Sequence, residues 1–222
     1  MALGDTSNVL AGLPASTGGL WVADKLDKAA YADIIAGGDL KAAGFNSVGY
    51  ITEDGVTEAS ERDTEKVKAW GGDTIRVLQN EHTATFTFAF AELANPEVLR
   101  LVYGDDNVTV QGANISINQN SKTLPHKSFV IEVLDGAKKI RKFIPDGQIT
   151  ETGELQMVHN NVMQVEVTLE AFPDHEGNKV YTTYKEVGGA ASLAPGPVPE
   201  EDDGEPDGEG LEEGEPDVHA EE

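Results

Sequence analysis

The histidines are the side chains of this 222-residue chain best suited to chemistry, and their spacing argues against a catalytic or metal site. The five are His82, His126, His159, His175 and His219, and none lies in an H-E-x-x-H motif or another metal-ligand spacing. His82 opens a predicted strand and His159 lies in a predicted turn, which are ordinary positions for surface histidines. The sequence contains no cysteine, which excludes disulfides, thiolate ligands and thiol nucleophiles.

Two further motifs resemble functional sites but depart from the required patterns. The sequence GFNSVG, residues 44–49, has its serine one position too late for the G-x-S-x-G turn of a serine hydrolase. The acidic stretch from Asp203 has carboxylates at positions 1, 3 and 5 and Gly208 at position 6, as in a calcium loop. Position 12, however, is Gly214, and Pro206 interrupts the loop. We therefore expect no enzymatic activity and no bound cofactor or metal.

The chain is strongly acidic, with 40 acidic residues against 16 basic ones and a net charge of −24. Residues 191–222 contain 13 acidic groups and no lysine or arginine, so residues 1–190 carry 27 acidic and 16 basic groups, a net charge of −11. This sign argues against a sequence-reading DNA-binding protein, because such proteins neutralise phosphates with basic groups. The chain start lacks signal-peptide features, and no apolar stretch approaches the roughly 18 residues of a membrane span.

Residues 191–222 differ in composition from the rest of the chain, since proline, glycine and acidic residues dominate there. Such a segment buries too little apolar surface to offset the entropy lost on ordering. We predict a flexible acidic C-terminal tail. Two interpretations stay open: a solubilising, self-repelling tail, or a docking peptide for a partner.

Residues 1–190 form the predicted folded domain, and their pattern is mainly β. Short apolar runs recur at a spacing of roughly ten residues, which is typical of a sandwich or barrel. Turn signals separate them at Asp135-Gly136, Asp146-Gly147 and Glu176-Gly177-Asn178. We predict a β-sandwich or barrel fold with one short α-helix and a long inter-strand loop.

The segment from Thr83 to Asp106 changes from a strand pattern to a helix pattern. Ala84, Phe86, Phe88 and Phe90 share one face of the predicted strand, which we expect in the core. The predicted helix covers about residues 95–103. Asn95 is a good N-cap, Pro96 is favoured at the first helical position, and an apolar stripe follows at i, i+3 and i+4: Val98, Leu101 and Val102. Because so short a helix is marginal alone, we expect this stripe to dock on a sheet.

Residues 53–72 are predicted to form a long loop, because their charges are mixed and their apolar residues have no period. A 20-residue structureless connection in a compact domain is either functional or misassigned. We favour a loop that contacts another molecule. Trp70 is either an aromatic anchor for that contact or a side chain that folds back onto its own core.

Several segments of the chain, spread over about residues 17–182, resemble the major tail (tail tube) proteins of long-tailed, siphovirus-type bacteriophages, especially those of actinobacteria. The segments occur in the same order as in that family. They are TGGLWVA (17–23), GYITEDGVT (49–57), AWGGD (69–73), VLRLVYG (98–104) and RKFIPDGQIT (141–150).

The resemblance implies a structural, non-enzymatic subunit of the virion tail, synthesised in the host bacterial cytoplasm. Six copies would form a ring, and stacked rings would form a hollow tube through which double-stranded DNA passes without specific binding. Implied partners are further copies of the chain and the tape measure, tail terminator and distal tail proteins. The alternative is a non-enzymatic β-sandwich adhesin or binding module.

The resemblance also assigns roles to two segments of the chain. Residues 53–72 become the stacking loop between rings, and residues 1–16 become an N-terminal arm that makes a second contact. The candidate contact residues between subunits or rings are Glu53, Asp54, Arg62, Lys66, Lys68 and Trp70.

Overall fold

The computed structural model of the chain describes residues 9–15, 19–159 and 162–186. The predicted acidic tail and most of the predicted N-terminal arm lie outside these residues. The strands are β1 (Leu13–Pro14), β2 (Leu20–Asp24), β3 (Asn46–Ser47), β4 (Thr57–Lys68), β5 (Thr74–Phe90), β6 (Val108–Gln111), β7 (Asn114–Ile117), β8 (Lys127–Asp135), β9 (Lys138–Thr152), β10 (Val165–Ala171) and β11 (Tyr181–Glu186). The helices are α1 (Lys28–Ala36) and α2 (Pro96–Tyr103).

Nine strands form one antiparallel sheet in the order β3-β2-β8-β9-β10-β5-β4, with β1 added beside β8 and β11 beside β9. Strands β6 and β7 form a separate hairpin. Strand β9 joins two parts of the large sheet, because residues 138–147 pair with β8 and residues 147–152 pair with β10. The prediction of a mainly β fold is confirmed.

The turn predicted at Asp146-Gly147 is wrong, because both residues lie inside β9. A Cβ atom on Gly147 would lie 2.9 Å from Phe129 Cδ2 and 3.0 Å from Leu169 Cδ1. The glycine therefore permits close packing of neighbouring strands and does not mark a chain reversal. The turn signal at Asp135-Gly136 is correct: it joins β8 to β9, and Gly136 has a φ of +55°.

The main core collects side chains from β2, β5, β8, β9, β10 and α2. From β5 it receives Phe86, Phe88 and Phe90, which are all buried, and the rings of Phe88 and Phe90 meet edge to face at 5.2 Å. Burying such a side chain stabilises the fold by about 1.5–3 kcal/mol. The aromatic face that the sequence places on this strand is the face that packs in the core.

A second core covers the opposite face of β2, β8 and β9. It contains Trp21 from β2, Val130 from β8 and Phe143 from β9, and α1 adds Tyr31 and Ile34. Successive residues of β2 and β8 alternate between the two cores, so these strands are buried on both faces. This explains why their sequences are apolar runs without alternation.

Helix α1 corrects the prediction of a single helix. The chain carries the usual end signals, since Asp27 is the N-cap residue and Gly37 ends the helix in the left-handed region at φ +89°. Arg141 then fixes the end of this helix to the sheet. Its Nη1 atom donates to the carbonyls of Ile34 and Gly38 at 2.9 Å each, and its Nε atom donates to the buried Glu132 carboxylate at 2.7 Å.

The predicted long loop at 53–72 is also wrong over most of its length. Residues 57–68 form strand β4, and this strand pairs along its whole length with β5. The strand predicted from Thr83 onward is the second part of one 17-residue strand, β5, which begins at Thr74. No strand period is visible in residues 57–68 because almost every β4 residue is exposed, on both faces of the hairpin.

Candidate assembly surfaces

The hairpin of β4 and β5 extends beyond the part of β5 that the rest of the sheet supports. Strand β10 pairs with β5 only from Ala84 to Phe90, whereas β4 continues to pair with β5 as far as Thr74. Between Glu61 and Lys68 the two strands therefore pair only with each other, over a length of roughly 25 Å. The turn of the hairpin is closed by a hydrogen bond in which the Ala69 N–H donates to the Asp73 carbonyl at 2.8 Å.

Apolar side chains are exposed on this projecting hairpin. Trp70, in the turn, has a relative exposure of 106%, so it does not fold back onto its own core. Val67, Ile75 and Val77 are exposed as well. An isolated two-stranded hairpin is only marginally stable in water, and clustered exposed apolar groups mark contact surfaces. The hairpin has the properties of a segment that is completed by another molecule.

Basic groups accompany these apolar groups. Directly opposed residues on neighbouring strands share a face, so Lys66 lies beside Val77 and Arg76 lies beside Val67. Arg62 donates from Nη1 to Gln79 Oε1 at 3.0 Å. Long cationic side chains can cover apolar neighbours while their charged ends stay in water. The hairpin can therefore be exposed before assembly and still supply apolar contacts in a complex.

The structure does not bring all six predicted contact residues together. Arg62, Lys66, Lys68 and Trp70 lie on the hairpin, whereas Glu53 and Asp54 lie in the connection before β4 begins. The Thr57 end of β4 pairs with Thr87, so the two acidic residues lie toward the Phe90 end of β5. The full length of β4, roughly 35 Å, separates these two residues from Lys68 and Trp70, and about half of it separates them from Arg62. A role for any of them in contacts between subunits or rings stays a prediction.

The outer edge of β4 is a second candidate surface, because it is an open strand edge in the described part of the chain. Within the described part of the chain, β4 pairs with β5 alone, and the short β3 at the opposite end of the sheet pairs with β2 alone. Open strand edges invite pairing with another chain, and proteins usually shorten, charge or cover them. Strand β4 has 12 residues and carries charges of both signs. Its edge can accept a strand from a second copy.

Helix α2 follows β5 and packs on the main core. The Asn95 side chain accepts a hydrogen bond from the Glu97 N–H at 3.0 Å, and Pro96 occupies the first turn. The helix buries Val98, Leu101 and Val102. It also buries Leu99, which the sequence interpretation missed because Leu99 lies beside the predicted i, i+3, i+4 stripe.

The charged groups near the core pair with each other. Burial disfavours the charged Lys127 amine, but hydrogen bonds to Asp105 at 2.8 Å and Asp24 at 2.9 Å outweigh burial and raise the pKa of Lys127. Burial likewise opposes ionisation of Asp146, but hydrogen bonds from Lys25 and His126 lower the pKa of that carboxyl. These pairs hold loops and strands in place.

The described residues also bear on metal sites and membrane spans. Within residues 9–15, 19–159 and 162–186, no group of three or more histidine, aspartate or glutamate side chains is placed to hold a metal ion. The helices in the same ranges are too short or too polar to cross a bilayer.

Comparison with solved structures finds similar chains in several phage-like particles. The virion of a native gene transfer agent gives 16% identity and a TM-score of 0.36, covering 65% of this chain and 91% of that one. The tube-terminating cap of the anti-feeding prophage gives 10% identity and a TM-score of 0.39, covering 81% of this chain and 95% of that one. The tail of an empty gene transfer agent particle, refined with C6 symmetry, gives 17% identity and a TM-score of 0.34, covering 60% of this chain and 85% of that one.

Comparison with protein families gives the assignment. No curated protein sequence matches the chain. A family model described as phage tail tube protein matches residues 2–190. The narrower resemblance to long-tailed phages of actinobacteria stays a prediction. Because the match covers most of the sequence, the chain belongs to the phage tail tube protein family and is a non-enzymatic structural component of the virion tail.

Proposed function

We propose that six copies of this chain close into a ring and that the rings stack into a hollow tube, which conducts double-stranded DNA from the virion to the host. The observation that carries the proposal is the projecting β4–β5 hairpin, with its exposed Trp70 and its open β4 edge, in a chain of the tail tube family. The hexameric number follows from the resemblance of the sequence to tail tube proteins.

The hairpin and the open edge support two different contacts. A ring needs a contact between different surfaces of neighbouring copies, repeated by rotation until it closes. A strand edge is suited to this contact, because backbone hydrogen bonds continue the sheet from one copy to the next. Stacking needs a segment that extends beyond the body of the subunit. The hairpin extends beyond its last β10 contact by roughly 25 Å, which is long enough to cross into an adjacent ring.

The charge of the chain fits a conduit for DNA. Residues 1–190 carry a net charge of −11, and an acidic wall repels phosphates over a Debye length of about 8–10 Å. DNA that bound the wall would stall during passage. We therefore propose an acidic lumen that does not bind DNA specifically. Tape measure, tail terminator and distal tail proteins are the proposed partners at the lumen and at the two ends of the tube.

Negative-stain microscopy of the purified chain tests the proposal, followed by averaging of any tubes to count the copies in a ring. We expect hollow tubes under assembling conditions, six copies in each ring and no retardation of duplex DNA by the tubes at physiological salt. A chain that stays monomeric at high concentration with tape-measure and tail-initiator proteins present would contradict the proposal.

A further inference from the structure

Exposed apolar side chains also occur at the end of β5 that lies away from the hairpin turn. Met157 and Val158 lie in the connection that follows β9, and Met163 lies just before β10. All three are exposed, Met157 to 75%, and Tyr50 is exposed as well. We call the exposed side chains Tyr50, Met157, Val158 and Met163 the Phe90-end surface. Such a group marks a contact surface, as the hairpin does.

Strand register places this surface at one end of β5. Val165, the first residue of β10, pairs with Phe90, the last residue of β5. Ile51 forms an isolated bridge to Phe90 as well. Tyr50 is held there by its backbone, since its N–H donates to the Glu92 carboxylate at 2.9 Å and its carbonyl accepts from the Ala91 N–H at 3.0 Å.

The hairpin turn lies at the other end of the same strand. Strand β5 begins at Thr74, directly after the turn that carries Trp70, and ends at Phe90. At about 3.3 Å per residue, the strand spans roughly 50 Å. The two exposed apolar surfaces of the subunit are therefore separated along the direction of β5.

The two ends also differ in charge. The sequence around the Phe90 end contains no lysine or arginine, since neither occurs in residues 48–58, 86–99 or 148–169. Lys142, from the middle of β9, reaches the edge of this region and pairs there with Glu58. The carboxylates of this end include Glu53, Asp54, Glu151, Glu154 and Glu166. The distal hairpin, residues 64–77, carries three cations against two carboxylates: Lys66, Lys68 and Arg76 against Glu65 and Asp73.

We propose that the Phe90-end surface is the docking site for the hairpin of a second copy of this chain in the adjacent ring. Trp70 and its apolar neighbours pack on Met157, Val158, Met163 and Tyr50, and the hairpin lysines face the surrounding carboxylates. The proposal rests on the proposed tube function and names the surface that receives the hairpin.

The positions of the two surfaces favour a second copy as the partner. Different complementary surfaces at opposite ends of one molecule make a contact that repeats along an axis. Methionine side chains are flexible and adapt to an inserted aromatic ring, with a favourable sulfur–aromatic contact. Large aromatic residues are also the usual energetic anchors of interfaces. Opposite charges at the rim of an interface mainly orient the two partners and increase their association rate, and they contribute less to the affinity.

Zero-length cross-linking of assembled tubes tests the contact with the unaltered chain. Tubes are grown from a mixture of copies with natural nitrogen and copies labelled with ¹⁵N, and a carbodiimide is used to join lysine amines to nearby carboxylates. We expect mixed-isotope peptides that link Lys66 or Lys68 to Glu151, Glu154 or Glu166. Tubes in which both lysines are linked between copies only to other carboxylates would overturn the docking site and leave the tube function standing. A chain that forms no tubes would contradict both.

A pair of variants gives a second test with a matched control. Met157→Glu with Val158→Glu adds two carboxylates to the docking surface, and we expect at least a tenfold loss of tube length with an unchanged circular dichroism spectrum. Ala29→Glu with Ala32→Glu adds the same charge at two exposed positions of α1, and we expect normal tubes. Tubes of normal length from the Met157–Val158 variant would overturn the inference.

Discussion

The two halves of β5 have the same backbone conformation but different surroundings. From Ala84 to Phe90 the strand has β10 on one side, and its aromatic face is buried in the main core. On the other side it has β4 as far as Thr87, followed by an isolated bridge from Ile51 to Phe90. From Thr74 to Thr83 it pairs with β4 alone and is largely exposed. We call residues 84–90 the supported half, because contacts inside the subunit stabilise it. We call residues 74–83 the exposed half, because it has few such contacts, and its apolar groups are available for contacts between subunits.

Removal of the exposed half of β5, together with the part of β4 that pairs with it, is expected to have the largest effect on assembly. Replacing residues 61–83 by Asn-Gly would join Ser60 to Ala84, which are already paired, through a two-residue turn. We expect the subunit to fold with a free energy of unfolding within about 1 kcal/mol of the original and to form no tubes, as measured by urea denaturation and negative-stain microscopy. Global unfolding seen by circular dichroism would show that the hairpin belongs to the core after all.

Truncating one aromatic side chain in the supported half gives the converse result. Phe86 has no exposed surface, so Phe86→Ala should lower the free energy of unfolding by about 3–5 kcal/mol through lost burial and a cavity. Ile75→Ala, on the same strand in the exposed half, should change it by less than about 0.5 kcal/mol. Urea denaturation of the unassembled subunit measures both. Equal losses at the two positions would contradict the division of β5.

The sequence predicts the supported half of β5 better than the exposed half, for a physical reason. Phe86, Phe88 and Phe90 alternate with the smaller residues Thr87 and Ala89, because the aromatic face packs in the main core. Strand β4 is exposed on both faces, so no burial selects its residues and no alternation appears. Strand β4 is specified by its pairing with β5. That pairing is a contact between two segments, and the local sequence pattern of β4 does not reveal it.

The same reason explains the other errors and missed residues. Helix α1 has small residues and only Tyr31 and Ile34 buried, so its apolar stripe is weak, although Asp27 and Gly37 could have indicated its ends. Among the predicted contact residues, a sequence interpretation can note that Trp70 is large and isolated. It could not single out Met157 and Val158, because their proposed role depends on their position at the opposite end of β5 from Trp70.

Helix α2 follows β5 in the chain and packs on the main core, and loss of its cap should have a smaller effect than loss of a core side chain. Asn95→Ala removes the acceptor of the Glu97 N–H and should lower the free energy of unfolding by about 1 kcal/mol. Asn95→Ser keeps an acceptor for the Glu97 N–H and adds no charge beside the Glu92 carboxylate, which lies 3.3 Å from the Asn95 amide. It is the matched control, with little change expected. Thermal unfolding of the unassembled subunit measures both. A loss of more than about 3 kcal/mol with Asn95→Ala would show that Asn95 has a packing role beyond the cap.

The pH dependence of the supported core should be the smallest effect. Burial opposes ionisation of Asp146, but hydrogen bonds from Lys25 and His126 outweigh it and lower the pKa of Asp146 in the folded state. Because the folded pKa lies below the unfolded one, the stabilisation is complete above the unfolded value, near pH 4, and is lost as the pH falls through the folded pKa. Asp146→Asn should therefore show a shallower loss of stability than the original chain on acidification below about pH 4, measured by urea denaturation of the unassembled subunit. Parallel curves for the two chains would show that the pKa of Asp146 is the same in the folded and unfolded states.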